Sequence, residues 1–165
     1  MNVSRALKEI LKQDFSFLTE NIYLKDSFGR TLSKPVTINK SIPEFDTSSM
    51  DGFAVRKSSL GKIGRFTVLG ETPAGARSRY TIMPNECVKV YTGSRMPKNA
   101  DFVIIQENTW SQGNVMYVKD YDKKSSYVRK TGLDFKKGQI ISNPMLIDYR
   151  LISALASLNL EKVSV

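Results

Sequence analysis

Three short runs hold the side chains of this sequence that are suited to chemistry. The first is Ile42-Pro43-Glu44-Phe45-Asp46-Thr47-Ser48-Ser49-Met50-Asp51-Gly52-Phe53-Ala54-Val55. Its polar centre, Asp46 to Ser49, offers carboxylate and hydroxyl groups that favour turns, and a second carboxylate, Asp51, stands directly before a glycine. Gly52 permits a positive φ or the close approach of a ligand to the backbone. The plain alternative is an Asp-Gly turn that introduces a strand at Phe53. The second run, Tyr91-Thr92-Gly93-Ser94-Arg95-Met96-Pro97, ends an apolar stretch with two hydroxyls, a glycine and a cation. That mixture suits gripping an oxyanion through side-chain and backbone donors, or forming a polar turn. The third, Val128-Arg129-Lys130-Thr131-Gly132-Leu133-Asp134, sets two cations and a carboxylate around a glycine. It can bind phosphate or be a basic loop with a partial ion pair.

The rest of the composition narrows the chemistry. The 165 residues include no histidine, so this chain supplies no Ser-His-Asp or Cys-His triad, no histidine-ligated zinc and no imidazole base. The single cysteine, Cys87, lies in a strand-like run and reads as a small buried hydrophobe. No dinucleotide fingerprint, phosphate loop or CxxC is present, and Gly61-Lys62-Ile63-Gly64 is most simply a loop. The formal net charge of +9 permits a polyanionic partner without choosing one. Basic residues concentrate modestly between Lys119 and Lys137, which reads as a solvated basic face. No interleaved aromatic and basic stacking surface is evident, so nucleic acid is not the expected partner. No stretch approaches the roughly 20 apolar residues that span a bilayer, and the N-terminus lacks a secretory pattern. The expected address is cytoplasmic, with no membrane partner.

The elements that must position these runs are legible in part. Val3, Ala6, Leu7, Ile10 and Leu11 recur at helical spacing, which predicts a short amphipathic helix from Ser4 to Lys12 capped by Asn2 or Ser4. Ile22 to Leu24 reads as a strand, Asp26 to Leu32 as a second short helix, and Val36 to Ile38 as extended. From Pro43 to about Val118, β-branched and aromatic runs alternate with Gly, Pro and Asn. Strands are expected at Phe53–Arg56, Arg65–Leu69, Cys87–Tyr91, Phe102–Ile105 and Val115–Val118, the last entered by a hairpin turn at Gln112-Gly113-Asn114. The unbroken apolar run Phe102–Ile105 predicts a strand covered on both faces. Leu146 to Leu158 carries a helical apolar stripe after the Asn143-Pro144 turn, and Lys162 to Val165 reads as a strand that is cut at the chain end. The fold class is therefore α+β: a β-rich module, residues 43–137, inserted into a small α/β layer formed by residues 1–42 plus 138–165.

Taken together and in order, the motifs resemble the signature of the molybdopterin molybdenumtransferase family, which includes the cofactor-synthesising domain of gephyrin. The resemblance rests on Pro43-x-Phe45-Asp46-x-Ser48-x-Met50-Asp51-Gly52-Phe53-Ala54-Val55, Ala74-Gly75, Val90-Tyr91-Thr92-Gly93 to Pro97, Ala100-Asp101, Glu107 and Arg129-x-x-Gly132-x-Asp134. It implies an enzyme that takes adenylylated molybdopterin and molybdate, releases AMP with Mg²⁺ assistance, and works as a homodimer with its cleft between subunits. By this likeness Asp51 and Asp134 are catalytic acids, Asp51 also a Mg²⁺ ligand, and Ser49, Met50, Gly52, Thr92, Gly93 and Arg129 contact substrate. Four departures stand out: Ser94-Arg95-Met96 where relatives usually have Ala, Pro and an aliphatic residue, Tyr127 for a common Asn, Leu133 for a common acid, and Asn159 for a common Gly. The resemblance also implies that the pterin-binding and C-terminal domains lie outside this chain and that the fragment alone is inactive. The alternatives are a non-catalytic scaffold or dimerisation module of the same fold and, further off, a small basic nucleic-acid binder.

Overall fold

Two patterns of burial organise the chain, one continuous along two apolar strands and one striped along a helix. A computed structural model describes residues 2–13 and 17–165. In chain order the helices and strands are α1 (Val3–Leu11), β1 (Asn21–Tyr23), β2 (Thr31–Leu32), β3 (Val36–Thr37), β4 (Thr47–Ser48), β5 (Gly52–Val55), β6 (Arg65–Thr72), β7 (Glu86–Val90), β8 (Phe102–Ile105), β9 (Thr109–Gln112), β10 (Val115–Val118), β11 (Val128–Arg129), β12 (Ile140–Ile141), β13 (Met145–Leu146), α2 (Tyr149–Ser157) and β14 (Lys162–Ser164). They fall into two units, Met1–Thr37 with Ile140–Val165, and Ile38–Gln139. The junctions thus lie at 37/38 and 139/140, where the change of texture in the sequence suggests 42/43 and 137/138.

In the first unit three antiparallel strand pairs, β1 with β14, β2 with β13 and β3 with β12, tie the early segment to the late one. Leu24, Leu32, Ile147, Leu155, Val163 and Val165 form its buried core. Leu151 and Ile152, on the same stripe of α2 as Leu155, pack against that core, as i, i+3, i+4 spacing requires. Asp148 caps α2 by accepting from Leu151 N–H at 2.9 Å, which satisfies one of the orphan donors of its first turn. The helix expected over Asp26 to Leu32 is absent. The chain makes a single 3₁₀ turn, Leu24–Asp26, and then enters β2. Gly29, at φ 75°, reverses the chain in the turn that follows, which Arg30 N–H closes onto Ser27 O at 3.1 Å, and strand pairing with β13 delivers Leu32 to the core fully buried. Leu146, expected to begin the last helix, pairs in β13 with Met145 instead.

In the second unit six strands form one sheet in the order β8-β5-β7-β6-β10-β9. The pair β6–β7 is parallel, and every other pair is antiparallel. Phe53, Val55, Phe66, Cys87, Phe102, Ile104 and Met116 make a core on one face, and Ala54, Ile82, Val88, Val90, Met96 and Val103 make another on the opposite face. That two-sided burial is why β5 and β8 read as continuous apolar runs. Gly52 belongs to this packing. It is buried, its φ is not positive, and a Cβ there would overlap the carbonyl oxygen of Ile104 in the neighbouring strand β8. The close approach that this glycine permits here is that of the neighbouring strand's backbone.

Candidate functional site

The three polar runs meet in the second unit. β4 pairs antiparallel with β11, setting Ser48 opposite Val128 and Thr47 opposite Arg129. On its other side, Ser48 N–H donates to Ser94 O at 2.9 Å and Gly93 N–H donates to Ser48 O at 2.8 Å. The segment Asp46–Asp51 is thus clamped between the Thr92 turn and the Arg129 loop by backbone hydrogen bonds, which fixes its side chains without side-chain strain.

At one end of this segment Asp51 accepts two hydrogen bonds on Oδ1, from Thr92 N–H at 2.8 Å and from Thr92 Oγ1 at 3.0 Å. Its backbone carbonyl accepts from Gln106 N–H at 3.1 Å. The Thr92 backbone N–H, then its hydroxyl, and more weakly the charge of Lys89 hold the Asp51 carboxyl below the usual aspartate range, so it is ionised throughout the neutral region. No hydrogen bond among the described residues engages Oδ2. Gly93 has φ 85°, which lets the turn reverse so that Thr92 N–H and hydroxyl point the same way. Because the Thr92 hydroxyl proton is directed to Asp51, Thr92 here orients the carboxylate; its oxygen retains lone pairs for a ligand donor.

At the other end Asp46 accepts from Lys130 Nζ at 2.8 Å, Thr131 N–H at 2.9 Å and Thr131 Oγ1 at 3.1 Å. Burial pushes the Asp46 carboxyl up, but Lys130 and Thr131 together outweigh burial and hold it below its ordinary value. Arg129 Nη2 bonds both carboxylate oxygens of Asp134, at 2.9 and 2.7 Å. The pair is about half exposed, with side-chain exposures of 49% and 42%. No hydrogen bond or ion pair among the described residues joins Asp51 to Arg129 or Asp134. Ser49 donates its N–H to Tyr127 O at 2.9 Å, and Met50 is exposed beside Asp51.

The residues that sequence reasoning passed over are supports. Asp46 was visible as a carboxylate in the polar run, but its partners lie 84 and 85 positions away. Ser94 is fully buried; its Oγ donates to Thr72 O at 2.6 Å and accepts from Tyr91 N–H at 2.9 Å. Arg95 stacks over the Phe45 ring at 4.6 Å, and Met96 enters the core beside Val88 and Val90. The departure Ser94-Arg95-Met96 is therefore structural. Burial pushes the Cys87 thiol up to about 12, which makes it the inert core residue that its setting suggests. Among the described residues no group of three or more His, Cys, Asp or Glu side chains converges to hold a metal ion, and no helix is long and apolar enough to cross a membrane.

Comparison with known proteins finds relatives along the chain. The chain is 31% identical over 171 aligned positions to the molybdopterin molybdenumtransferase of Staphylococcus epidermidis, covering 100% of this chain and 41% of the relative. It is 33% identical to the enzyme of that name from Bacillus subtilis over 148 positions, covering 84% of the chain and 34% of the relative. A crystal structure of the molybdopterin biosynthesis moeA protein from Pyrococcus horikoshii OT3 superposes with a TM-score of 0.85 at 30% identity, over 98% of this chain and 44% of that one. The chain thus spans about two fifths of the length of the relatives that it matches. The model of the family described as the MoeA N-terminal region (domain I and II) matches residues 1–159, and the chain belongs to that family.

Proposed function

We propose that this chain is the N-terminal part of a molybdopterin molybdenumtransferase, a cytoplasmic homodimeric enzyme that uses molybdate and adenylylated molybdopterin to make molybdenum cofactor, with release of AMP. The observation that carries the reading is the Asp51–Thr92 pair, an ionised carboxylate with one oxygen pinned by two donors and the other left open. A carboxylate so fixed can orient a water or the substrate without reorganising, which is what a reacting centre requires.

The residues fit a Mg²⁺ ion of the kind that keeps most of its waters and takes one carboxylate from the protein. Asp51 Oδ2 is the atom of this chain that would hold it. Held there, such an ion would supply positive charge against the negative charge of the leaving AMP. Thr92 keeps Asp51 ionised and aimed. Arg129, held by Asp134, presents the remaining guanidinium N–H groups to an anionic substrate, and the Asp46 latch fixes the loop that carries both. The homodimer is supported by α1, no residue of which is buried. Val3, Leu7, Ile10 and Leu11 stand exposed on it at helical spacing, which is the face that a second subunit would cover.

The test is Asp51→Asn in the full-length protein, which keeps the shape and removes the charge. Cofactor synthesis should fall by about 100-fold or more, as loss of a preorganised charged group at a reacting centre typically costs. Activity within threefold of the unsubstituted protein would remove Asp51 from the mechanism.

A further inference from the structure

The turn that carries Thr92 shares its supports with a second, unassigned cleft. Beyond β6 the chain loops through Pro73–Tyr80. Thr72 Oγ1 donates to Ser78 Oγ at 3.0 Å and Ala76 N–H donates to Pro73 O at 3.2 Å, which closes the loop that presents Arg77. Tyr80 packs on Gly70, where φ is 147° and a Cβ would meet the Tyr80 hydroxyl. The Arg79 guanidinium lies 5.4 Å from the Tyr80 ring centroid. The result is a cavity of about 520 Å³ whose walls include Gly70, Glu71, Thr72, Arg77, Arg79 and Tyr80.

Its charge is unbalanced. Neither Arg77 nor Arg79 has an ion-pair partner among the described residues. The acid in the wall, Glu71, accepts from Tyr91 Oη at 2.7 Å. Of the cations that the motifs single out, Arg129 is paired with Asp134 and Lys130 with Asp46. Tyr91, which caps Glu71, precedes Thr92, and Ser94 Oγ donates to Thr72 O in the cleft wall. The cleft and the Asp51 carboxylate are therefore built on one turn.

We propose that Arg77 and Arg79 form an oxyanion subsite that takes a tetrahedral oxyanion of the phosphate or oxometalate class, in the cleft whose wall is tied to the Thr92 turn. Each guanidinium can match such oxygens bidentately, and the Tyr80 hydroxyl, which accepts from Arg79 Nη2 at 3.4 Å, keeps its own proton for the anion. The inference deepens the transferase reading, since that reaction brings both classes of anion to this region, but the subsite stands on its own geometry.

Calorimetric titration of the chain with sodium pyrophosphate, with AMP and with sodium molybdate, at fixed ionic strength, separates the sources. Binding of pyrophosphate or AMP assigns the subsite to a phosphate-bearing ligand, and binding of molybdate alone assigns it to the metal oxyanion. Arg77→Gln and Arg79→Gln should each weaken that binding roughly tenfold without moving the melting temperature. Arg150→Gln, in the other unit, should leave it within twofold. No binding of any of the three anions, equal weakening by Arg150→Gln, or indifference to Arg77→Gln and Arg79→Gln would overturn the proposal. If binding and its arginine dependence hold while Asp51→Asn leaves cofactor synthesis intact, the transferase role of Asp51 fails and the subsite survives.

Discussion

Ser94→Ala tests whether the Thr92 turn is held as the geometry indicates. Ser94 is 0% exposed, and its hydroxyl is both donor and acceptor, at 2.6 Å to Thr72 O and 2.9 Å from Tyr91 N–H. Alanine keeps the backbone bonds of the turn, Ser94 N–H to Tyr91 O at 2.8 Å and Ser48 N–H to Ser94 O at 2.9 Å, but deprives two buried polar groups of their partner. An unsatisfied buried group costs about 1–3 kcal/mol. One donor stripped outright and one carbonyl weakened sum to about 2–4 kcal/mol, with a small cavity included. For a chain of this size that is a fall in melting temperature of roughly 5–15 °C. The assay is thermal unfolding followed by circular dichroism, with Ser49→Ala as control, because the Ser49 side chain makes no hydrogen bond among the described residues and should cost under about 0.5 kcal/mol. Amide exchange at Tyr91 and Thr92 should accelerate in Ser94→Ala before the strands β5 and β7 do. A melting temperature within 2 °C of the unsubstituted chain, roughly 0.5 kcal/mol, would refute the reasoning and with it the idea that Ser94 anchors the turn that aims Asp51.

Gly52→Ala should destabilise by about 3 kcal/mol or more, because the added Cβ meets Ile104 C at 2.9 Å and Ile105 Cα at 3.0 Å; chemical denaturation would show it, against Gly64→Ala, which meets nothing within 4 Å, as a near-neutral control. Asn159, at φ 59°, follows α2 as a left-handed C-terminal residue, donating to Ala156 O at 2.9 Å. Asn159→Ala should therefore cost about 1 kcal/mol and Asn159→Gly almost nothing, as read from denaturation midpoints. Asp46 and Asp51 have folded-state carboxyls held below their ordinary values. Their contribution is thus present above the unfolded value of about 3.9 and is lost as pH falls through the folded value. Stability measured from pH 6 down to pH 3 should drop less steeply in Asp46→Asn and Asp51→Asn. Cys87, fully buried with its thiol pushed up to about 12, should resist a thiol reagent at pH 8 in the folded chain and react on addition of denaturant; native-state labelling within minutes would contradict its burial.

The sheet strands were legible because their burial is written in local residue types. Phe102–Ile105 and Val115–Val118 lie where their apolar runs and the Gly113-Asn114 turn put them. The two-residue strands were not, since Thr47–Ser48 and Val128–Arg129 pair across 80 positions and neither carries enough residues to show a period. The same holds for Asp26 to Leu32, where a capping residue suggested a helix but the core required Leu32 from a strand. Two departures from the family pattern become intelligible only as backbone facts. Tyr127 and Asn159 both sit at positive φ, 53° and 59°, where the Asn and Gly that the resemblance leads one to expect are residues that tolerate it well. Tyr127 is held there by core packing and by a hydrogen bond from its hydroxyl to Asp122 Oδ2 at 3.2 Å.

The site shows the same division between what residue type announces and what distance decides. Residue type marked the three polar runs, and the family resemblance singled out Asp51, Thr92, Arg129 and Asp134 within them. Distance then sorts them: Asp51 keeps an open oxygen, whereas Arg129 and Asp134 satisfy each other and Thr92 spends its proton on Asp51. A carboxylate with one pinned and one open oxygen is poised, while the Arg129–Asp134 pair fixes the guanidinium and leaves its remaining N–H groups for an anion. The two acids are therefore unequal. In full-length protein, Asp134→Asn should free Arg129 and change substrate affinity more than turnover, raising KM by severalfold with kcat within about threefold, as a change in uniform binding does. Asp51→Asn should act on kcat. If Asp134→Asn abolished turnover at saturating substrate, the closed pair would be a reacting group after all, and the order of importance read from these hydrogen bonds would be reversed.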